Sequence, residues 1–327
     1  MKGTGRKWLI RAGWLSALVL LLWWALQNAP LSQIWASLRQ LELWQLAVLL
    51  VFNLGIFALI TMRWWIIVRA QTAKVPFAPL LGFRLAAYGL SYFTFGPQVG
   101  GEPLQIVYLQ QRYGLTYARA TSAVIMDKLI ELLANFLLIV VGIYAIVRVD
   151  LLAGTGGLAT GGLLLLGAFF LWPPLHILLL YNDRYPLSVL LRPFAARFQD
   201  LRLLRLLSVA EHLAGSFTRR HPRALLASLV VSLLSLGGML IEYGLMLSFL
   251  HVSLGFWETL AGLTALMISF LMPLPAGLGA LEASQVLAMT ALGFPAAIGI
   301  SLSLLIRARD ILLGGLGLLL AGGVYNR

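Results

Sequence analysis

Long apolar stretches, separated by short basic intervals or by runs of glycine and proline, set the pattern of this chain. A spanning helix needs about 20 mainly apolar residues to cross the roughly 30 Å hydrocarbon core of a bilayer. Six stretches meet that length: 8–27, 44–68, 118–147, 152–181, 224–250 and 296–323. Two others, 77–112 and 256–292, are interrupted midway by glycine and proline, which leaves halves too short to cross alone. Each of these is predicted to enter and leave on one side as a re-entrant helical hairpin. The expected fold is all-α, a polytopic membrane helix bundle of six full spans plus two re-entrant hairpins. It occupies residues 1–327 as a single transmembrane domain.

The order of elements repeats. Span, hairpin, span over 44–147 matches span, hairpin, span over 224–323, and the two triplets are predicted to enter from opposite sides. Inverted repeats whose matching elements are both broken by glycine or proline point to a transport site near the bilayer midplane. Sequence identity between the triplets is weak, so the expectation rests on element order and on the breaks.

Composition sharpens this picture. At 60% hydrophobic and 11% charged residues, the chain departs from the roughly 25% charged usage of soluble domains, which excludes a soluble enzyme. The formal charge of +12 would suggest nucleic acid in a soluble protein. Here the cations cluster between apolar stretches, so the expected partner is an anionic membrane surface and not nucleic acid. The absence of cysteine excludes disulfides and thiolate metal sites.

Charge also orients the bundle. Lys2, Arg6, Lys7 and Arg11 hold the N-terminus in the cytoplasm as an uncleaved signal anchor, by the positive-inside rule. Arg63, Arg69 and Lys74 precede the first hairpin and Arg112 and Arg119 follow it, which places both of its ends on the cytoplasmic side. Six crossings then return Arg327 to the cytoplasm, and the protein is expected in the cell membrane with both termini inside. The basic segment 183–223 belongs on the same side. Within it, Arg202, Arg205, His212, Ser216 and Arg219 share one face of an amphipathic helix, which would lie in the interface. Topology signalling alone accounts equally well for these charges.

Candidate chemistry sits in two places. The hairpin tips, with Pro97, Gly100, Gly101 and Glu102 in one and Pro273, Pro275, Gly277, Gly279 and Glu282 in the other, each place glycines and an acid where a helix restarts. Non-helical backbone at membrane depth is tolerated only inside protein or beside a watery cavity. The helix starts suit a phosphate or carboxylate, unless Glu102 and Glu282 cap those N–H groups themselves. Intramembrane charges are the second signal, because each costs about 2.5–3.5 kcal/mol to insert. Asp127, Glu131 and Asn135 share a helix face, with Lys128 three residues before Glu131. Ser303, Arg307, Asp310, Gly314 and Gly317 form a second stripe, with Arg309 beside it, and Ser228, Ser232, Ser235, Met239 and Glu242 a third. These stripes either hold helices together or line a head-group path. No catalytic residue is expected: the four histidines lack metal-ligand spacing, and there is neither a P-loop nor a Gly-x-Ser-x-Gly elbow. No cofactor and no metal are expected.

Three motifs resemble a known family: Gly100-Gly101-Glu102-Pro103-Leu104, Asp127-Lys128-x-x-Glu131, and the run from Pro273 to Glu282. They are similar to the lysylphosphatidylglycerol synthase transmembrane region, or flippase-like membrane family, over nearly the whole chain. Gln105 and Ala276 depart from the arginine and glycine expected in those motifs. The resemblance implies movement of a lipid between leaflets. In the best-known members the membrane region is joined to a cytoplasmic aminoacyltransferase domain, and no such domain is expected here, so the chain is not expected to be an enzyme. The expectation is a lipid flippase or lipid transporter, with Arg307 contacting phosphate, Asp127 and Glu131 tuning charge, and the tip glycines shaping the path. A secondary transporter of a small amphipathic solute, and a non-catalytic partner of a lipid-modifying glycosyl- or acyltransferase, remain open as alternatives. Partners are membrane lipids with anionic head groups. A homo-oligomer and a separately encoded lipid-modifying enzyme are open as further partners.

Overall fold

A computed structural model describes residues 42–72, 75–93, 101–151, 161–162, 171–190, 202–270 and 279–324. Among the described residues there is no strand, in agreement with the all-α expectation. The helices are α1 (Leu43–Gln71), α2 (Phe77–Phe93), α3 (Glu102–Tyr113), α4 (Tyr117–Arg148), α5 (Trp172–Tyr181), α6 (Arg202–Arg220), α7 (Pro222–Phe249), α8 (Phe256–Ser269), α9 (Ala280–Ala291) and α10 (Ala296–Val324).

Three of these, α1, α4 and α7, are long and apolar enough to cross a membrane, and they coincide with predicted spans 44–68, 118–147 and 224–250. Helix α10 has the same 29 residues as α1 and matches 296–323, but it carries Arg307, Arg309 and Asp310 near its middle. The span predicted at 8–27 lies outside the described residues. Of the span predicted at 152–181, α5 is the main described part. Helices α2, α3, α8 and α9 are the halves of the two broken stretches. At 1.5 Å per residue, even the longest of them, α2 with 17 residues, reaches about 25 Å, short of the roughly 30 Å core.

Helix ends follow local chemistry. Thr116 accepts a hydrogen bond from the Arg119 amide at 3.4 Å and so caps α4, as a hydroxyl does where the first amides lack partners. Gly114 closes α3 in the left-handed region at φ 67°, and Gly293, just past α9, lies there at φ 85°. A side chain would clash with its own backbone at such angles.

Packing follows a two-fold pattern. Let α1 exchange with α7, α2 with α8, α3 with α9 and α4 with α10. Each principal helix contact among these eight then maps onto another: α2 on α10 onto α8 on α4, α3 on α4 onto α9 on α10, α1 on α4 onto α7 on α10, while α1 on α7 maps onto itself. Pro222, Phe256 and Ala296 each start a helix 179 residues after Leu43, Phe77 and Tyr117.

Glycines permit close approach at the α2–α10 and α4–α8 crossings. A Cβ on Gly317 would stand 2.1 Å from the Leu85 carbonyl oxygen, and one on Gly89 2.4 Å from that of Gly314. A Cβ on Gly142 would stand 1.9 Å from Thr264 Oγ1. In lipid the drive for such association comes from packing and hydrogen bonds, which small residues permit.

Two apolar cores result. One joins Trp64, Phe83, Leu109, Met126 and Ile130 to Leu180 and Phe217 of α5 and α6. The other joins Leu49 to Met246, Leu263, Met289 and Leu305. Helix α6 docks on α4 and α5, with Ala210, Ala214 and Phe217 buried. On α6, Glu211 accepts the backbone N–H groups of Leu187 and Ser188 at 2.8 and 2.6 Å, and Arg219 donates to the Leu180 carbonyl at 2.7 Å. The basic residues of this segment therefore include at least one that ties the segment to the bundle. His212, predicted on the same face, is exposed.

Candidate functional site

Between the two apolar cores lies a cavity of about 230 Å³ lined by α1, α2, α3, α4, α7, α8 and α10. It has room for on the order of ten water molecules. The charged residues on its wall are Arg63, Arg84, Glu102, Lys128, Glu131, Glu242, Arg309 and Asp310, with Asn53, Asn135, Gln105 and Ser232 among the polar ones.

On the α4 side the charges form one network. Arg63 of α1, only 2% exposed, donates through Nε to Asp127 Oδ1 at 2.6 Å and through Nη2 to Glu131 Oε2 at 2.6 Å. Arg84 of α2 places Nη2 3.1 Å from Asp127 Oδ2 and 4.0 Å from Glu131. Lys128 lies 3.2 Å from both Glu131 and Glu102. Three cations thus compensate three carboxylates drawn from four helices. Asp127 is 1% exposed, and leaving a charge uncompensated at such depth costs about 3–5 kcal/mol.

On the α10 side, Glu242 of α7 accepts from Arg309 Nη1 at 2.6 Å and from the Asn53 amide at 2.9 and 3.0 Å. Arg309 also reaches Asp310 at 2.8 Å, and Tyr88 of α2 lines the same cavity. Arg307 donates to Glu282 of α9 at 2.5 Å.

The residues named from the sequence divide as follows. Glu131, Lys128, Glu102, Gly101, Glu242, Arg309 and Asp310 line the cavity, and Asp127 lies directly behind it, bonded to Arg63. Arg307, expected to contact phosphate, is engaged with Glu282 and is not on the cavity wall. Glu282 also accepts the Gly279 amide at 2.9 Å, the capping role expected of it. Glu102 pairs with Lys128 at 3.2 Å. Gly279 has φ 79°, a conformation that glycine adopts without strain. Pro97, Gly100, Pro273, Pro275 and Gly277 lie outside the described residues. Of the predicted stripes, Ser232, Ser235, Met239 and Glu242 face the cavity, whereas Gly314 and Gly317 face α2.

Arg63 requires a correction. Read as a flanking cation on the cytoplasmic side, it is a buried partner of Asp127 and Glu131 eight residues inside the end of α1. Arg84 and Asn53 were not singled out. The available signal was charge balance: Asp127 and Glu131 on an apolar helix need cations, and Arg63 and Arg84 are the arginines that interrupt the neighbouring apolar stretches. Arg84 also stacks over the Trp64 ring at 5.6 Å from its centroid, a favourable placement for a guanidinium.

No curated protein and no solved structure matches the chain. A family model described as "Lysylphosphatidylglycerol synthase TM region" matches residues 9–317, nearly its whole length. A helical membrane domain with a charged cavity between paired packing units is therefore a member of the lysylphosphatidylglycerol synthase transmembrane region family.

Proposed function

We propose that this integral membrane protein is a lipid flippase or lipid transporter that moves a polar-headed lipid between leaflets of the cell membrane. The observation that carries the reading is the cavity: eight charged side chains from six helices face one small space inside an otherwise apolar bundle. Ionisable groups at that depth are rare, and they mark substrate or ion pathways. A space of about 230 Å³ accepts a head group but not two acyl chains, so the chains would remain in lipid while the head group crosses among fixed charges. Family membership points to lipid-related work.

In this reading the chain has six crossings and two re-entrant hairpins, α2–α3 and α8–α9, with both termini cytoplasmic. The hairpins enter from opposite sides and meet the cavity with their inner ends. Their short helices slide against α10 and α4 along the glycine contacts at Gly317 and Gly142. The protein acts as a transporter and not as an enzyme.

The test is head-group accessibility. Full-length protein is reconstituted in vesicles with fluorescent phospholipids of several head-group classes, and their loss to an outside-only quencher is followed. Movement of one class at a rate at least tenfold above protein-free vesicles, abolished by Gly279→Val, is the expected result. No movement for any class overturns the reading.

A further inference from the structure

Arg84 sits midway along α2, is 7% exposed, and lines the cavity. Its guanidinium is only partly used. Nη2 meets Asp127, but Nη1 is enclosed and has no hydrogen-bond partner among the described residues. The indole Nε1 of Trp64, whose ring lies under Arg84, is enclosed and unpartnered in the same way. Two buried donor groups on adjoining side chains therefore have no acceptor among the described residues, an arrangement that native interiors rarely leave standing.

The nearby carboxylates are already engaged. Asp127 receives Arg63 Nε at 2.6 Å, Arg63 Nη2 at 3.3 Å and Arg84 Nη2 at 3.1 Å, and Glu131 receives Arg63 at 2.6 Å and Lys128 at 3.2 Å. No acceptor for these donors is left among the described residues. Lys128, with 31% of its side chain exposed, flanks the same Glu131 carboxylate as Arg84. It can turn from Glu102 toward an arriving anion without leaving Glu131.

We propose that Arg84 and Lys128 form an oxyanion seat in the cavity wall for a phosphate group, with Arg84 Nη1 as its fixed donor and Lys128 as its mobile one. A buried guanidinium placed over an indole presents a preset fork to phosphate oxygens, which an ammonium alone does not. The shared chemistry is a phosphate oxyanion; its source is a lipid phosphodiester or free phosphate. The lipid source rests on the flippase reading.

The experiment uses the full chain in detergent micelles and measures binding of radiolabelled dihexanoylphosphatidylglycerol, of orthophosphate, and of dihexanoylglycerol, which has the chains without the phosphate. Saturable binding of the phospholipid but not of dihexanoylglycerol, weakened at least tenfold in Arg84→Gln and partly restored in Arg84→Lys, is the expected result and assigns a lipid source. Saturable binding of orthophosphate alone, with the same dependence on Arg84, supports the seat and assigns free phosphate as its ligand. Binding of neither phosphate compound, or binding unchanged in both Arg84→Gln and Lys128→Gln, overturns the seat. Circular dichroism melting of each variant identifies loss of fold, and Lys128→Gln, at a half-exposed position, carries the test if Arg84→Gln does not fold. Lipid movement in vesicles separates the two readings. Movement retained in an Arg84→Gln protein that no longer binds keeps the seat and takes it off the path of the moving lipid; intact binding with no movement by the wild type overturns the flippase and leaves the seat.

Discussion

The half built on α1–α4 and the half built on α7–α10 share a scaffold and differ in how charge is placed on it. Lys128 and Arg307 stand 179 residues apart in chain order, and each pairs with the acid at the start of a short helix: Lys128 with Glu102 at 3.2 Å, Arg307 with Glu282 at 2.5 Å. Glu131 and Asp310 also stand 179 apart, one turn further along their helices. Arg63 and Glu242 occupy matching positions with opposite sign. In the first half the cation is on α1 and the acids on α4; in the second the acid is on α7 and the cation, Arg309, on α10. The cross-contacts are mirrored too. Arg63 reaches Ser232 at 3.5 Å, and Glu242 takes Asn53, where Asn53 matches Ser232. Paired units can therefore preserve geometry while reversing polarity, because what the packing conserves is a compensated charge at a given depth, not the sign of either partner.

The comparison can be broken most forcefully at the glycine contacts. Gly317 meets backbone, the Leu85 carbonyl, whereas Gly142 meets a side chain, Thr264. Gly317→Ala should cost about 3 kcal/mol or more, since backbone cannot yield as a rotamer can. Gly142→Ala should be substantially rescued by Thr264→Gly. Melting temperatures in detergent, with size-exclusion profiles, check both expectations; equal rescue at the two sites would contradict the asymmetry.

Next in size are the buried acids. Asp127→Asn removes the carboxylate shared by Arg63 and Arg84, and should destabilise by about 3–5 kcal/mol, the cost of leaving a buried ion uncompensated. Glu242→Gln leaves Arg309 with Asp310 and should cost about half as much. Denaturant unfolding of the two variants side by side would show a smaller midpoint shift for Glu242→Gln if the networks differ as described.

The pairs at the helix starts should separate less. Glu282→Gln removes both a half-buried ion pair and the cap on Gly279, about 1–3 kcal/mol together. Glu102→Gln removes a half-exposed pair worth about 0–1 kcal/mol. The double exchange Glu282→Arg with Arg307→Glu should restore part of the ion pair but not the cap, and a double-mutant cycle on thermal stability measures how much. Smallest of all, Ser232→Ala should change stability by under about 0.5 kcal/mol, because its 3.5 Å contact with Arg63 is at the limit of a hydrogen bond. Asn53→Ala should cost about 1–2 kcal/mol, because the charged Glu242 loses one of its two donor side chains and keeps Arg309.

Much of this was legible along the chain. Apolar runs of helical length located α1, α4, α7 and α10 to within a few residues, because a bilayer imposes length and polarity on each crossing independently of its neighbours. Glycine and proline breaks located the four short helices for the same reason. The stripe through Ser232, Ser235 and Glu242 gave the correct face of α7, since helical periodicity alone sets which residues share a side. Along the chain Arg63 reads as a flanking cation, because the positive-inside rule counts cations near span ends without asking whether acids elsewhere in the bundle need them. Arg84 passed unnoticed in α2 because its significance depends on Asp127, which lies 43 residues away in sequence and 3.1 Å away in space.

What the sequence determined by itself is therefore the membrane class of the protein, the helices, their faces and the acids that had to be buried. These follow from single-helix properties: length, hydropathy and period. Only the tertiary structure decided which cation compensates which acid, that Arg307 serves Glu282 while Arg309 serves the cavity, and that the Nη1 group of Arg84 has no partner among the described residues. Those are properties of helices brought together, where the cost of burying each charge is settled by the partner that packing delivers to it.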